Sequence, residues 1–148
     1  MRFPRVTRLI VTASSEEVLR EEIIPKINAF LEPRGVRLSE QKTKVTHISQ
    51  GFDFLGQTIR KFVRRDASLG KIQITPSRAS FKAIKAKVKA ICKASGGLTQ
   101  AQLIDQLNPV LRGWANYHRH VICAETFSKL DSYVWRRLFR WGETTPPG

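Results

Sequence analysis

Three amphipathic segments between residues 75 and 141 constrain the fold of this chain most strongly. Their apolar residues recur every three or four positions: Phe81, Ile84, Val88 and Ile91; Leu103, Leu107, Val110, Trp114 and Tyr117; and Phe127, Leu130, Val134, Leu138 and Trp141. This spacing is typical of one face of an α-helix. Three such helices with short connections bury their apolar faces against one another, so the sequence predicts a three-helix bundle.

Short boundary signals separate these helices. They are a Thr75-Pro76 start, a Ser95-Gly96-Gly97 stop, a capping box of Thr99 and Gln102, and a last helix over residues 125–141. Pro109 lies inside the second helix. Because proline has no backbone N–H, it predicts a kink or break at Asn108.

The preceding residues have a mixed pattern. The predicted elements are a strand at 9–11, a helix that begins with a capping box of Ser14 and Glu17 and ends at Pro33 and Gly35, a strand at 44–48, a hairpin within 51–63 and a strand at 71–74. The chain is therefore predicted to be α+β, with a small mixed α/β region over residues 1–74, a helical region over 75–142 and a frayed tail over 143–148.

The charge of the chain is strongly basic and unevenly placed. Lys and Arg number 26 against 12 Asp and Glu, a net charge of +14. Residues 1–56 carry 9 basic and 7 acidic side chains, whereas residues 57–148 carry 17 basic and 5 acidic ones. A basic half joined to a nearly neutral half indicates a nucleic-acid-binding module on a support. The alternative is a surface that only solubilises the chain.

The clearest basic feature is a ladder of four lysines in the first bundle helix. Lys82, Lys85, Lys89 and Lys93 are three or four residues apart and share one helix face, opposite the apolar stripe. No acidic residue lies between Thr75 and Thr99. Contact with phosphates explains this pattern better than a purely solvated face, where Glu usually alternates with Lys.

A second candidate surface in the last helix interleaves Arg136, Arg137 and Arg140 with Trp135, Phe139 and Trp141. Two interpretations stay open: a surface that stacks on bases, or cations that favour a helix C-terminus beside aromatic residues of the core. Two interpretations also stay open for Arg112 and Asn116, which are four residues apart. Their side chains contact a phosphate or a base edge in one, and are simply exposed to solvent in the other.

Other chemistries have little support in the sequence. Cys92, Cys123, His118 and His120 lack the paired spacing of a zinc site, and no hydrolytic triad or phosphate-binding glycine loop is present. No apolar run is long enough to cross a membrane. Without a signal peptide, we expect a cytoplasmic or organellar protein that is not secreted, with both cysteines as free thiols.

Two segments of the helical half resemble a known family. Residues 104–117 (Ile-Asp-Gln-Leu-Asn-Pro-Val-Leu-Arg-Gly-Trp-Ala-Asn-Tyr) and 127–138 (Phe-Ser-Lys-Leu-Asp-Ser-Tyr-Val-Trp-Arg-Arg-Leu) resemble the group II intron maturase-specific domain. Residues 38–43 and 51–56 are similar to the last palm blocks of that family's reverse transcriptases. The resemblance implies a palm remnant over residues 1–74, followed by a three-helix thumb and maturase bundle over 75–142.

Members of this family bind intron RNA, assist its folding for splicing and copy it into DNA. Their polymerase site holds a Tyr-Ala-Asp-Asp turn just before a strand like residues 9–12, where this chain has Thr7-Arg8. Neither residue replaces the carboxylates that hold Mg²⁺. We therefore expect no polymerase activity from this chain alone, and no cofactor unless a partner chain completes a Mg²⁺ site.

The resulting hypothesis is an RNA-binding module of maturase type that binds structured intron RNA, with DNA or an RNA–DNA hybrid as further possible ligands and no membrane partner. The candidate RNA-binding residues are Lys82, Lys85, Lys89, Lys93, Arg112, Asn116, Arg136, Arg137 and Arg140. One alternative is part of a split reverse transcriptase, in which another chain supplies the fingers and the palm aspartates. Lys42 and the 51–56 turn would then lie near the active site. A non-functional relic is the third alternative.

Overall fold

The computed structural model describes residues 8–144, and of Leu69 only the backbone. The Thr7 position discussed above and tail residues 145–148 lie outside the described residues. Contacts divide the chain into two compact units, residues 1–47 and 48–148. The domain boundary after residue 74 stays a prediction. None of the helices within residues 8–144 has the length and apolar character needed to cross a membrane.

The first unit contains one irregular helix. A π-helical turn at Val18–Ile23 leads into α1 (Ile24–Leu31), and a 3₁₀ turn at Glu32–Arg34 follows. Pro25 explains the π-helical turn, because it has no N–H to donate to the preceding turn. Gly35, with φ of 68°, ends the helix at the predicted place.

Three predictions for this part of the chain are wrong. Residues 9–11 and 44–48 form no strand and do not belong to the sheet of the described residues, although the Ile48 carbonyl accepts a hydrogen bond from the Lys61 N–H at 3.0 Å. Local β propensity without a regular ladder does not make a strand. Ser14 does not cap the helix; instead the Ser15 hydroxyl accepts a hydrogen bond from the Val18 N–H at 3.3 Å.

The second unit begins with an antiparallel sheet in the order β1-β2-β3. Its strands are β1 (Phe52–Phe54), β2 (Gln57–Val63) and β3 (Leu69–Pro76). The turn between β1 and β2 places Leu55 and Gly56 at φ of 50° and 78°, a geometry whose twist matches that of hairpin strands. The predicted hairpin and the strand at 71–74 are confirmed.

Three helices follow: α2 (Arg78–Ala94), α3 (Gln100–His118) and α4 (Ala124–Thr144). The start of α2 differs from the prediction, because β3 extends through Pro76, which pairs with Gln57. Ser77 is the N-cap, and its hydroxyl accepts a hydrogen bond from the Ser80 N–H at 3.1 Å. The α2 stop at Ser95 is confirmed.

Helix α3 begins at the predicted capping box of Thr99 and Gln102. It runs continuously through Pro109, so no break occurs at Asn108, and the alternative of a kink there stays a prediction. Pro109 leaves the Asp105 carbonyl without its helical donor. Burial of Leu103 and Leu107 stabilises the two helical turns that precede Pro109.

The core lies where α2 packs against α3 and α4. Val88, Leu103 and Leu107 are at most 2% exposed, and Ile91, Leu111, Val134, Leu138 and Trp141 pack around them. The predicted apolar faces are confirmed except at one position: Ile84, Val88, Leu103, Leu107 and Leu130 are buried and the others half-buried, but Tyr117 is 54% exposed. Its prediction as part of the apolar face is wrong, because its hydroxyl donates a hydrogen bond to the Leu55 carbonyl outside the helical core. The chain is α+β, as predicted.

Candidate nucleic-acid interface

Helices α2 and α4 run side by side and leave an open cavity of about 380 Å³ at their C-terminal ends. It is lined by Lys89, Cys92, Lys93, Gly96, Arg137, Arg140, Trp141 and Thr144. Four of these residues are cations and none is a carboxylate. The partial negative charge of the two helix C-termini favours cations here, and four full charges leave the cavity strongly positive.

A second cavity of about 310 Å³ lies along the earlier turns of the same two helices. It is lined by Phe81, Lys85, Ser128, Lys129, Ser132, Tyr133 and Arg136, again without a carboxylate. We call the two cavities together the basic groove; its seven cations are Lys85, Lys89, Lys93, Lys129, Arg136, Arg137 and Arg140.

Tyr133 organises the centre of the basic groove. Its hydroxyl donates a hydrogen bond to the Lys85 carbonyl at 3.2 Å and accepts one from Arg137 Nε at 3.0 Å. The Lys85 Nζ lies 5.6 Å from the centre of the Tyr133 ring and 4.8 Å from that of Phe81. One side chain of α4 therefore ties α2 to α4 and orients two of the cations.

Most of the positive charge in the basic groove is not neutralised within the protein. Lys129 pairs with Glu125, and this contact lowers the pKa of the Glu125 carboxyl group. Among the described residues, no ion pair engages the other six cations. Burial raises the pKa of the Cys92 thiol, although Arg137 opposes the effect, so this cysteine stays protonated at neutral pH.

The aromatic residues of α4 divide between the outside and the core. Trp141 points inward, and its Nε1–H donates a hydrogen bond to the Ser95 carbonyl at 3.1 Å. Trp135 and Phe139 are 64% and 54% exposed and stack on each other, with ring centres 5.4 Å apart and planes 19° apart. The sequence left open whether these aromatic residues belong to the core or to an exposed surface. Trp141 packs against the core, whereas Trp135 and Phe139 form an exposed surface.

The comparison with protein families identifies the helical half. The family model of the group II intron maturase-specific domain matches residues 81–145. Residues 81–145 are a group II intron maturase-specific domain. The match confirms the resemblance seen at 104–117 and 127–138. The likeness of residues 38–43 and 51–56 to palm blocks lies outside the match and stays an expectation. A comparison with curated proteins found no match.

The maturase-specific domain contains all nine predicted RNA-binding residues, and six of them line the basic groove. Lys82, Arg112 and Asn116 are exposed but line neither cavity. The binding roles of all nine remain predictions. The sequence analysis missed Lys129 and Tyr133. Helical spacing was the available signal, because both precede Arg136 and Arg140 on one side of α4 at intervals of three or four residues.

A polar cluster around the buried His118, where α2 packs against α3, was also missed. The Ser80 hydroxyl lies 3.1 Å from His118 Nε2 and accepts a hydrogen bond from Trp114 Nε1–H at 3.0 Å. His118 is fully buried, and its Nδ1 has no hydrogen-bond partner among the described residues. Burial lowers the pKa of this imidazole. The cluster is a core contact of α2 and α3, since solvent does not reach the imidazole.

Metal chemistry finds no support in the described residues. Within residues 8–144, no three His, Cys, Asp or Glu side chains come together to hold a metal ion. The residues present therefore do not fit the paired Mg²⁺ ions of nucleotidyl transfer. Cys92 and Cys123 are free thiols, as expected.

Proposed function

We propose that this chain is an RNA-binding module of a group II intron maturase. In this proposal it assists the folding and splicing of intron RNA and has no polymerase activity of its own. The supporting observation is the basic groove, which collects seven cations between two helices without a carboxylate in its lining. The matched family is named for group II introns. We therefore propose structured intron RNA as the polyanion that the groove binds.

The arrangement of the cations suits a phosphate backbone. Lys85, Lys89 and Lys93 follow one another every four residues, so their positions rise by about 6 Å along α2. Such a row can engage successive phosphates of one strand. Arg136 and Arg140 repeat the same interval along α4. Binding by these residues releases condensed counterions, so affinity should fall steeply with salt.

The groove cations also determine what kind of selectivity to expect. A lysine is a point charge on a flexible stem and does not distinguish bases, whereas the guanidinium of arginine binds phosphate through two parallel hydrogen bonds. We therefore expect the maturase-specific domain to bind RNA by shape and charge rather than by base sequence.

The proposal is tested by removing the lysines of the groove. In Lys85→Gln/Lys89→Gln/Lys93→Gln the helix should persist, because Gln is a comparable helix former. Affinity for a structured group II intron RNA should drop. The slope of log affinity against log salt should shrink by about 0.7 to 0.9 for each phosphate that the variant no longer binds. Electrophoretic mobility shift over a salt series measures both quantities.

A matched control removes the same charge elsewhere. Lys44, Lys71 and Lys87 are exposed and line neither cavity, and Lys87 belongs to α2 itself. The triple variant Lys44→Gln/Lys71→Gln/Lys87→Gln should keep most of the affinity and salt slope. Equal losses in both variants would contradict the groove as the binding site. Competition by duplex DNA or by an RNA–DNA hybrid as effective as the RNA would contradict RNA as the preferred ligand.

A further inference from the structure

The exposed stack of Trp135 and Phe139 is a surface that the basic groove does not explain. The other two tryptophans have partners within the protein: Trp114 packs against Phe81, His118 and Phe127, and Trp141 donates a hydrogen bond to the Ser95 carbonyl. Trp135 and Phe139 contact each other and leave more than half of each side chain exposed. Two exposed aromatic rings in contact, unlike single scattered apolar residues, make this surface a candidate binding site.

The charges around this pair indicate the chemistry of its ligand. Arg136 and Arg140 follow Trp135 and Phe139 directly, so helical spacing places them on the adjoining side of α4. Both arginines are exposed and both line the basic groove. The stacked pair therefore borders the groove on its α4 side. Asp131 and Glu143, one turn beyond the pair at either end, limit the length of the platform.

We propose that Trp135 and Phe139 form a stacking platform for the unpaired bases of a nucleic-acid strand whose phosphates lie in the basic groove. The inference rests on the proposed function and narrows its ligand to single-stranded or looped segments. Every base has an aromatic face, so stacking is tolerant of sequence. In a duplex neighbouring base pairs cover those faces everywhere except on the outer sides of the two terminal pairs, so the platform has few faces to contact.

The test compares three ligands that carry similar charge but differ in their bases. They are a single-stranded oligouridylate of about 12 nucleotides, a G·C-rich RNA duplex of about 6 base pairs, whose two strands together carry a similar number of phosphates, and an abasic sugar–phosphate strand as long as the oligouridylate. The 148-residue chain should prefer the oligouridylate to both other ligands. Trp135→Ala/Phe139→Ala should weaken oligouridylate binding at least about fivefold, the effect expected for loss of one stacked base. Binding of the duplex and the abasic strand should change little.

Variants elsewhere separate the platform from general effects. The control variant removes two exposed phenylalanines that lie outside the platform. Phe30 is 61% exposed, with the Arg34 guanidinium 3.8 Å from its ring centre, and Phe62 is 44% exposed. Phe30→Ala/Phe62→Ala should bind the three ligands as the unchanged protein does. Trp135→Phe should retain affinity but lose most of the fluorescence quenching caused by oligouridylate, because Trp114 and Trp141 are half-buried and hydrogen-bonded. The quenching that remains is assigned to Trp141, which lines the basic groove. The melting temperature of the Ala variants checks that the fold is intact.

The outcomes distinguish this inference from the proposed function. If the unchanged protein binds structured intron RNA but none of the three ligands, the platform alone is refuted, and if it does not bind the intron RNA either, both are wrong. If the lysine variant loses affinity but Trp135→Ala/Phe139→Ala binds all three ligands as before, the platform alone is refuted. Equal losses for the three ligands also refute it. Sedimentation measures the oligomeric state of both proteins. If the unchanged protein is a dimer and Trp135→Ala/Phe139→Ala is a monomer, the aromatic pair is a contact between two copies of the chain instead.

Discussion

The imidazole of His118 is fully buried, and its Nδ1 has no hydrogen-bond partner among the described residues. Burial lowers its pKa below the ordinary value of 6.5. In the unfolded chain His118 therefore takes up a proton at higher pH than in the folded one. The stabilisation is complete above about pH 6.5 and decreases as the pH falls towards the folded-state pKa. The expected slope approaches about 1.4 kcal/mol per pH unit at most, which corresponds to one proton.

Urea denaturation between about pH 7.5 and 5 measures this effect. His118→Gln, although less stable at every pH, should have a flatter profile, and His120→Gln is the control with an exposed histidine. The pKa values of the Glu125 and Asp66 carboxyl groups are lowered from 4.5 and 3.8. These two groups therefore change protonation only below the pH range of this experiment. An unchanged slope in His118→Gln would show that the buried imidazole does not control acid stability.

Helical spacing placed Trp114 and His118 on one face, but it did not reveal their shared partner. Ser80 is 38 positions from His118 and 34 from Trp114. Contacts at such separations depend on how whole helices pack, which a local pattern does not contain. For the same reason the sequence left open whether the α4 aromatics were core or surface.

At the scale of elements, Ser77 decides where α2 begins. Its hydroxyl accepts from the Ser80 N–H, and the residue is 2% exposed. Ser77→Ala should lower the free energy of unfolding by about 0.5 to 2 kcal/mol, because a helix N–H is left unpaired. Ser77→Gly should cost only a few tenths of a kcal/mol. Thermal denaturation of both variants measures the difference, and equal losses would mean that the cap contributes nothing.

The elements that the sequence predicted correctly are held by contacts between residues that are close together in the sequence. The hairpin closes through a two-residue turn, and α3 begins at a capping box, so both depend on neighbouring residues. The strands expected at 9–11 and 44–48 needed a regular ladder with distant segments, and in the described part of the chain neither of them joins the sheet. Thr75-Pro76 had the signature of a helix start, but pairing with β2 overrode it.

At the scale of the whole molecule, the basic groove comes from a parallel packing of α2 and α4 that no sequence signal specified. The Tyr133–Lys85 and Trp141–Ser95 hydrogen bonds join residues 48 and 46 positions apart. The sequence did identify two separate basic surfaces, the lysine ladder and the arginines of α4. Packing merges them into one groove and leaves Lys82 outside it.

The last prediction concerns catalysis by the whole chain. Two-metal nucleotidyl transfer requires carboxylates placed together on the metal ions. The four aspartates, Asp53, Asp66, Asp105 and Asp131, are not adjacent in sequence, and within residues 8–144 no metal-binding cluster forms. The purified chain with Mg²⁺, an RNA template and an annealed DNA primer should therefore give no extension product. An active reverse transcriptase in the same buffer is the positive control. Template-dependent extension by the pure chain would contradict the prediction, and extension that requires an added fingers and palm chain would instead favour a split enzyme.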